Sequence, residues 1–129
     1  MNLQRTIMIV EDERALSEAI GHKLKTYRFN VAVVRATDEA IELLRGGLKV
    51  DAIWMDHYLF GKKSGLDLMV RLHDNRLWKN LPVFVVSNTV SPDKVKTYMS
   101  LGAKKYYTKV DNRLDQIVND ITLELGVVS

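Results

Sequence analysis

Short runs of consecutive apolar residues alternate along this chain with longer stretches in which apolar side chains recur every three or four positions. The runs have the pattern of strands buried on both faces, and the longer stretches that of amphipathic helices. Residues 7–10 predict the first strand. In residues 14–27, Ala15, Leu16, Ala19, Ile20, the stem of Lys23, Leu24 and Tyr27 share one helical face. Residues 31–34 predict a second strand, and Thr37 is placed to cap a helix carrying Ala40, Ile41, Leu43 and Leu44, which Gly46 and Gly47 stop. A third strand over 52–56 leads to a helix over 64–75 with Leu66, Leu68, Met69 and Leu72 as its apolar set. Residues 83–86 follow Pro82 as a fourth strand. Ser91 and Pro92 then start a helix, a hydroxyl cap followed by proline at the first helical position, which ends near Leu101 and Gly102. A short strand over 106–108 and a helix marked by Leu114, Ile117, Val118, Ile121 and Leu125 close the chain.

Five strand–helix units without a linker, repeat or low-complexity segment imply an α/β domain: a five-stranded parallel sheet, doubly wound, with right-handed crossovers and helices on both faces. Ligands of such sheets sit beyond the carboxyl ends of the strands, where the strand order reverses. In the order 2-1-3-4-5 the first and third strands are neighbours about 4.8 Å apart, so Glu11, Asp12 and Asp56 meet at that edge. Two unit charges about 5 Å apart repel by roughly 3 kcal/mol at an effective dielectric of about 20. A cluster of this kind belongs where a cation binds, and the pattern points to a divalent-metal site with one aspartate beside it. Asp51 opens the third strand, about 17 Å away by the rise per residue, and is excluded.

Bulk composition narrows the rest. With 129 residues, 47% hydrophobic and 27% charged, the chain fits one domain over residues 1–129 and is not disordered. Its formal charge of +3 comes from short lysine pairs, not a tract, and lacks the aromatic–basic interleaving of a nucleic-acid binder, so no direct nucleic-acid contact is expected. Cysteine is absent, which excludes disulfides, thiolate metal sites and thiol nucleophiles. No run reaches the roughly 18 apolar residues of a membrane span, and the amino terminus does not read as a signal peptide. A cytoplasmic protein is the expectation.

The acidic pair Glu11–Asp12, Asp56 after the third strand, Ser87 after the fourth and the segment Gly102-Ala103-Lys104-Lys105-Tyr106-Tyr107-Thr108-Lys109 together resemble a response-regulator receiver domain, the CheY-like module of two-component signalling. The likeness runs through the whole chain in order. It implies that Asp56 is the phosphoacceptor nucleophile, aided by Lys109 and Ser87. It further implies Mg²⁺, with Mn²⁺ able to replace it, held by Asp12, by Asp56, by Glu11 through water and by the Tyr58 backbone carbonyl. Ser87 and Tyr106 would form the switch, and the face made by the fourth helix, fifth strand and fifth helix the output surface. Tyr58, Asn88 and Thr89 take positions that tune access and dephosphorylation. The implied donor is a histidine kinase or histidine phosphotransfer protein. The downstream target is an unknown protein, and a phosphorylation-dependent dimer is compatible with the output face. Such a domain catalyses its own phosphorylation and dephosphorylation and turns over no external substrate.

Four details depart from the common family pattern. The loop after Asp56 carries its second glycine, Gly65, one residue late, and Phe60 stands where proline is frequent. Asn88 is larger than the usual small residue, and Val110 replaces a proline, so the Lys109–Val110 bond is trans or strained. These departures support a competing expectation: a degenerate receiver that binds partners independently of phosphorylation. His57, next to Asp56, is expected to face away from the acidic cluster, because adjacent strand residues point oppositely. His22 and His73 are expected at the surface, Trp54 in the core and Trp78 as a packing anchor. A haloacid-dehalogenase-like phosphatase would need a second aspartate where Arg14 stands. A flavin carrier would need a phosphate-binding loop where Glu11-Asp12-Glu13 would repel it.

Overall fold

A computed structural model of the chain describes residues 4–88 and 91–126. Its elements alternate strictly: β1 (Thr6–Val10), α1 (Arg14–Thr26), β2 (Asn30–Val34), α2 (Thr37–Arg45), β3 (Ala52–Met55), α3 (Gly65–His73), β4 (Val83–Ser87), α4 (Pro92–Ser100), β5 (Lys105–Thr108) and α5 (Leu114–Glu124). The strands form one parallel sheet in the order β2-β1-β3-β4-β5, as the pattern predicts. Val10 is paired with both Val34 and Met55, and Ser87 with Thr108, so the carboxyl ends of the strands finish nearly level.

Strand parity divides the interior in two. Met8, Val10, Ile53, Met55, Val83 and Val85 pack under α2, α3 and α4. Ile7, Ile9, Ala52, Trp54, Phe84 and Val86 pack under α1 and α5. Because both faces are covered, the central strands β1, β3 and β4 are apolar almost throughout, and every second residue belongs to the same layer. Trp54 is core as expected, Trp78 packs at the margin of the α2–α4 layer, and His22 and His73 are exposed.

Some local expectations need correction. On α1, Ala15 and Ala19 are exposed, and Ser17 and Gly21 are buried beside Ile20 and Leu24. Gly21 lets the helix lie close to the sheet: a β-carbon there would already sit 3.7 Å from Ile9 Cδ1 and 3.8 Å from Val31 Cγ2. The buried Ser17 hydroxyl is satisfied by donating to the Arg14 carbonyl at 3.0 Å. Thr37 does not cap α2. Ala36 holds that position, and the buried Thr37 hydroxyl donates instead to the Ser64 carbonyl, 3.1 Å away, tying α2 to the start of α3. Ser91 occupies the N-cap of α4 with Pro92 behind it, but its hydroxyl makes no capping bond. Among the described residues only α3 has a complete capping box, in which Ser64 Oγ accepts from Leu66 N–H and the Ser64 N–H donates to Asp67.

Candidate phosphoacceptor site

Glu11 and Asp56 each stand one residue past paired strand ends. The Glu11 N–H donates to Val34 O and the Asp56 N–H to Val10 O, both at 3.0 Å, so the ladder continues just far enough to fix both residues. Carried one step beyond the strands, parity puts Glu11, Asp56 and Lys109 on the α1/α5 side. Lys109 Nζ lies 3.1 Å from Asp56 Oδ2 and 3.2 Å from Glu11 Oε1. The second of these contacts was not anticipated from sequence, which paired the lysine with Asp56 alone. Both carboxylates are buried, Glu11 at 2% and Asp56 at 5% exposure, whereas Asp12 faces solvent at the rim. Asp51 is indeed at the opposite end, accepting from the Thr6 N–H at 2.8 Å.

Burial raises the Glu11 carboxyl above its usual range. The Glu13 N–H draws it back, and the Asp56 charge adds to the rise. Burial pushes Lys109 down, but its bonds to Asp56 and Glu11 outweigh that and leave the ammonium firmly charged. Lys109 thus offsets one of the three negative charges at this edge. Among the described residues, no three His, Asp or Glu side chains gather into a closed cage for an ion, because Glu11 and Asp56 are turned onto Lys109. The donor set nevertheless fits a hard cation. Such an ion is held through one or two carboxylates and keeps several waters, and buried Asp56 and solvent-facing Asp12 are carboxylates of that kind.

The opposite parity carries a second group. Ser87 is fully buried and hydrogen-bonded to Tyr106, which is half-buried; burial raises the Tyr106 phenol and the Ser87 bond offsets part of that rise. The Tyr106 ring lies 5.8 Å from that of Tyr98. His57 faces this layer, away from the carboxylates as expected, and its Nδ1 shares a 2.6 Å hydrogen bond with the Tyr98 hydroxyl. Burial, with Lys94 nearby, lowers the His57 imidazole below its usual range. Sequence reasoning missed Tyr98. Its only signal was a large aromatic on a helix otherwise poor in buried residues.

The loop between β3 and α3 accounts for two departures from the family pattern. The Phe60 N–H donates to Arg35 O at 2.9 Å, a bond that proline could not make. The Arg35 guanidinium also sits 4.4 Å over the Phe60 ring. In the same longer loop Gly61 has φ of +91°, a left-handed turn open to glycine. Tyr58 is exposed, with Lys94 Nζ 5.6 Å from its ring centre, and Asn88 is exposed beside Ser87. Lys109–Val110 is trans, as are the other described peptide bonds. Thr89 lies outside the described residues.

The model of the family described as the response regulator receiver domain matches residues 7–122. The transcriptional regulatory protein DltR of Streptococcus agalactiae is 30% identical over 103 residues, covering 80% of this chain and 44% of its own length. This chain therefore spans less than half of that relative. The phosphorylated cyanobacterial phytochrome response regulator RcpA superposes with a TM-score of 0.83 at 29% identity, over 93% of this chain and 92% of its own. The Mn²⁺-bound form of response regulator Rcp1 gives 0.83 at 26% identity, over 97% of both chains. Together with the strand order and the site just described, these matches define the class: the chain belongs to the response-regulator receiver family of two-component systems, with the CheY-like fold.

Proposed function

We propose that this receiver takes a phosphoryl group onto Asp56 from a phosphohistidine of a histidine kinase or phosphotransfer protein. The observation that carries this is a buried carboxylate held at 3.1 Å by a partly buried lysine, at the strand-end position where the family's chemistry resides. Phosphoryl transfer has a loose transition state with charge spread over three equatorial oxygens, so the protein's task is positioning and neutralisation. Asp56 attacks as a carboxylate and needs no base. The bond from phosphorus to the donor nitrogen breaks as the bond to the aspartyl oxygen forms. Lys109, already at Asp56, neutralises an oxygen of the incoming group, and the Ser87 hydroxyl reaches another by giving up Tyr106.

Asp12 and Asp56 would hold a divalent cation, Mg²⁺ or Mn²⁺, with Glu11 acting through water and the Tyr58 carbonyl completing the protein ligands. When bound, that ion supplies additional neutralisation of phosphoryl charge. Tyr58 and Asn88, both exposed at the mouth, and Thr89 govern access and hydrolysis. The signal leaves through α4, β5 and α5, toward a protein target or a second copy of the chain. Among the described residues no helix is long and apolar enough to cross a membrane.

Intact mass after incubation with phosphoramidate tests this. One phosphoryl group is expected, dependent on Mg²⁺ and absent in Asp56→Asn. An unchanged mass under all conditions would sink the proposal and leave a phosphorylation-independent binding module.

A further inference from the structure

Tyr98 is the one buried residue of α4, and it is buried completely. Its ring anchors the helix, and its hydroxyl reaches His57, the residue immediately after the phosphoacceptor, at 2.6 Å. His57 is held from two further directions. Its carbonyl accepts from the Gly65 N–H at 2.7 Å, and its own N–H donates to Asp56 Oδ1 at 2.7 Å. Asp56 is therefore gripped at both oxygens, Oδ1 by the His57 N–H and Oδ2 by Lys109 at 3.1 Å. A carboxylate gripped twice keeps one orientation. The His57 N–H can aim only as well as its peptide is fixed, and the imidazole–phenol bond is what fixes that peptide from the α4 side.

We infer that Tyr98 and His57 are positioning residues for phosphoryl uptake: the Tyr98 hydroxyl, through the His57 ring, sets the backbone N–H that orients the Asp56 carboxylate. The seating of α4 and the aim of the nucleophile are then one structural unit. Removing the hydroxyl would leave His57 Nδ1 buried without its partner, a state relieved by movement of the ring and of the peptide behind it. Misplacement of a reacting group by as little as about 1 Å can cost on the order of 100-fold in rate, so a modest shift is enough to be read kinetically.

The inference rests on Asp56 being the phosphoacceptor, and the experiment separates the two. Phosphoryl uptake from phosphoramidate with Mg²⁺ is followed by intact mass against donor concentration in the wild type, Tyr98→Phe, His57→Leu, His57→Asn and Tyr107→Phe. Tyr107 is the matched control: its hydroxyl also makes a tyrosine side-chain bond, to Asp120 at 2.8 Å, but on the other face of the sheet. We expect the saturating rate to fall about tenfold in Tyr98→Phe and in His57→Leu, with the donor concentration at half-maximal rate unchanged. A variant carrying both Tyr98→Phe and His57→Leu, measured alongside, should be no slower than either single one, as for residues acting in series. His57→Asn, whose amide falls near the Nδ1 position, should recover most of the rate, and Tyr107→Phe should match the wild type. If Tyr98→Phe does not fold, the His57→Leu and His57→Asn pair decides alone. Equal rates in Tyr98→Phe and Tyr107→Phe, or in the two His57 variants, would overturn this inference while leaving the phosphoacceptor intact. No uptake by the wild type would overturn both.

Discussion

Gly65 shows how little room surrounds Asp56. A β-carbon there would meet the Asp56 carbonyl oxygen at 2.5 Å, the Tyr98 hydroxyl at 2.9 Å and His57 Cα at 3.2 Å. Two of these three neighbours are backbone and cannot swing away. Gly65→Ala is therefore expected to lower stability by about 2–3 kcal/mol, the cost of overpacking a closed site, as read from urea unfolding, and to slow phosphoryl uptake as well. Two buried tyrosines give a second residue-scale expectation. Burial raises the phenols of Tyr98 and Tyr107 well above the ordinary value of 10.0. Above about pH 10 the unfolded chain loses these protons while the folded chain keeps them, so stability falls as pH rises. Urea midpoints measured from pH 8 to 11 should show that decline, and Tyr98→Phe and Tyr107→Phe should each flatten it.

At the scale of elements, the β3–α3 loop turns through the left-handed Gly61, and its far side is stitched to the β2–α2 turn by the Phe60–Arg35 backbone bond and ring contact. Phe60→Pro would restore the common family residue yet remove both interactions. A loss of about 1–2 kcal/mol in chemical unfolding is expected, where a substitution guided by family frequency alone would anticipate a gain. The element boundaries themselves were largely legible, because fully covered strands are apolar at every position and amphipathic helices are not. Side-chain caps were less legible. Ser91 stands at the N-cap of α4 without making the capping bond, and Thr37 falls one residue inside α2, where its hydroxyl takes the partner that tertiary packing presents, the Ser64 carbonyl.

For the molecule as a whole, the sheet sets carboxylates from two strand ends against a lysine from a third. Their mutual repulsion is only partly relieved by Lys109, so a divalent cation should bind the folded chain and not the unfolded one. At a concentration of about 100 times its dissociation constant, such an ion adds roughly 2.7 kcal/mol. A rise in melting temperature on adding Mg²⁺ is expected in the wild type and should largely vanish in Asp12→Asn. Asp12 is exposed, so that variant should melt close to the wild type when metal is absent, which separates loss of binding from loss of fold.

The alternation of strands and helices, the side of the sheet each strand residue takes and the separation of Asp51 from the acidic edge were all determined by local pattern. Periodicity and strand parity are properties of consecutive residues and need no knowledge of distant ones. Tertiary structure alone decided that Lys109 bridges two carboxylates, that Arg35 covers Phe60 and that His57 meets Tyr98. Each of these joins residues from separate strand–helix units whose apposition follows only once five strands have taken their places. The hydrophobic pattern says which side of the sheet a side chain faces, but not which polar atom waits for it there.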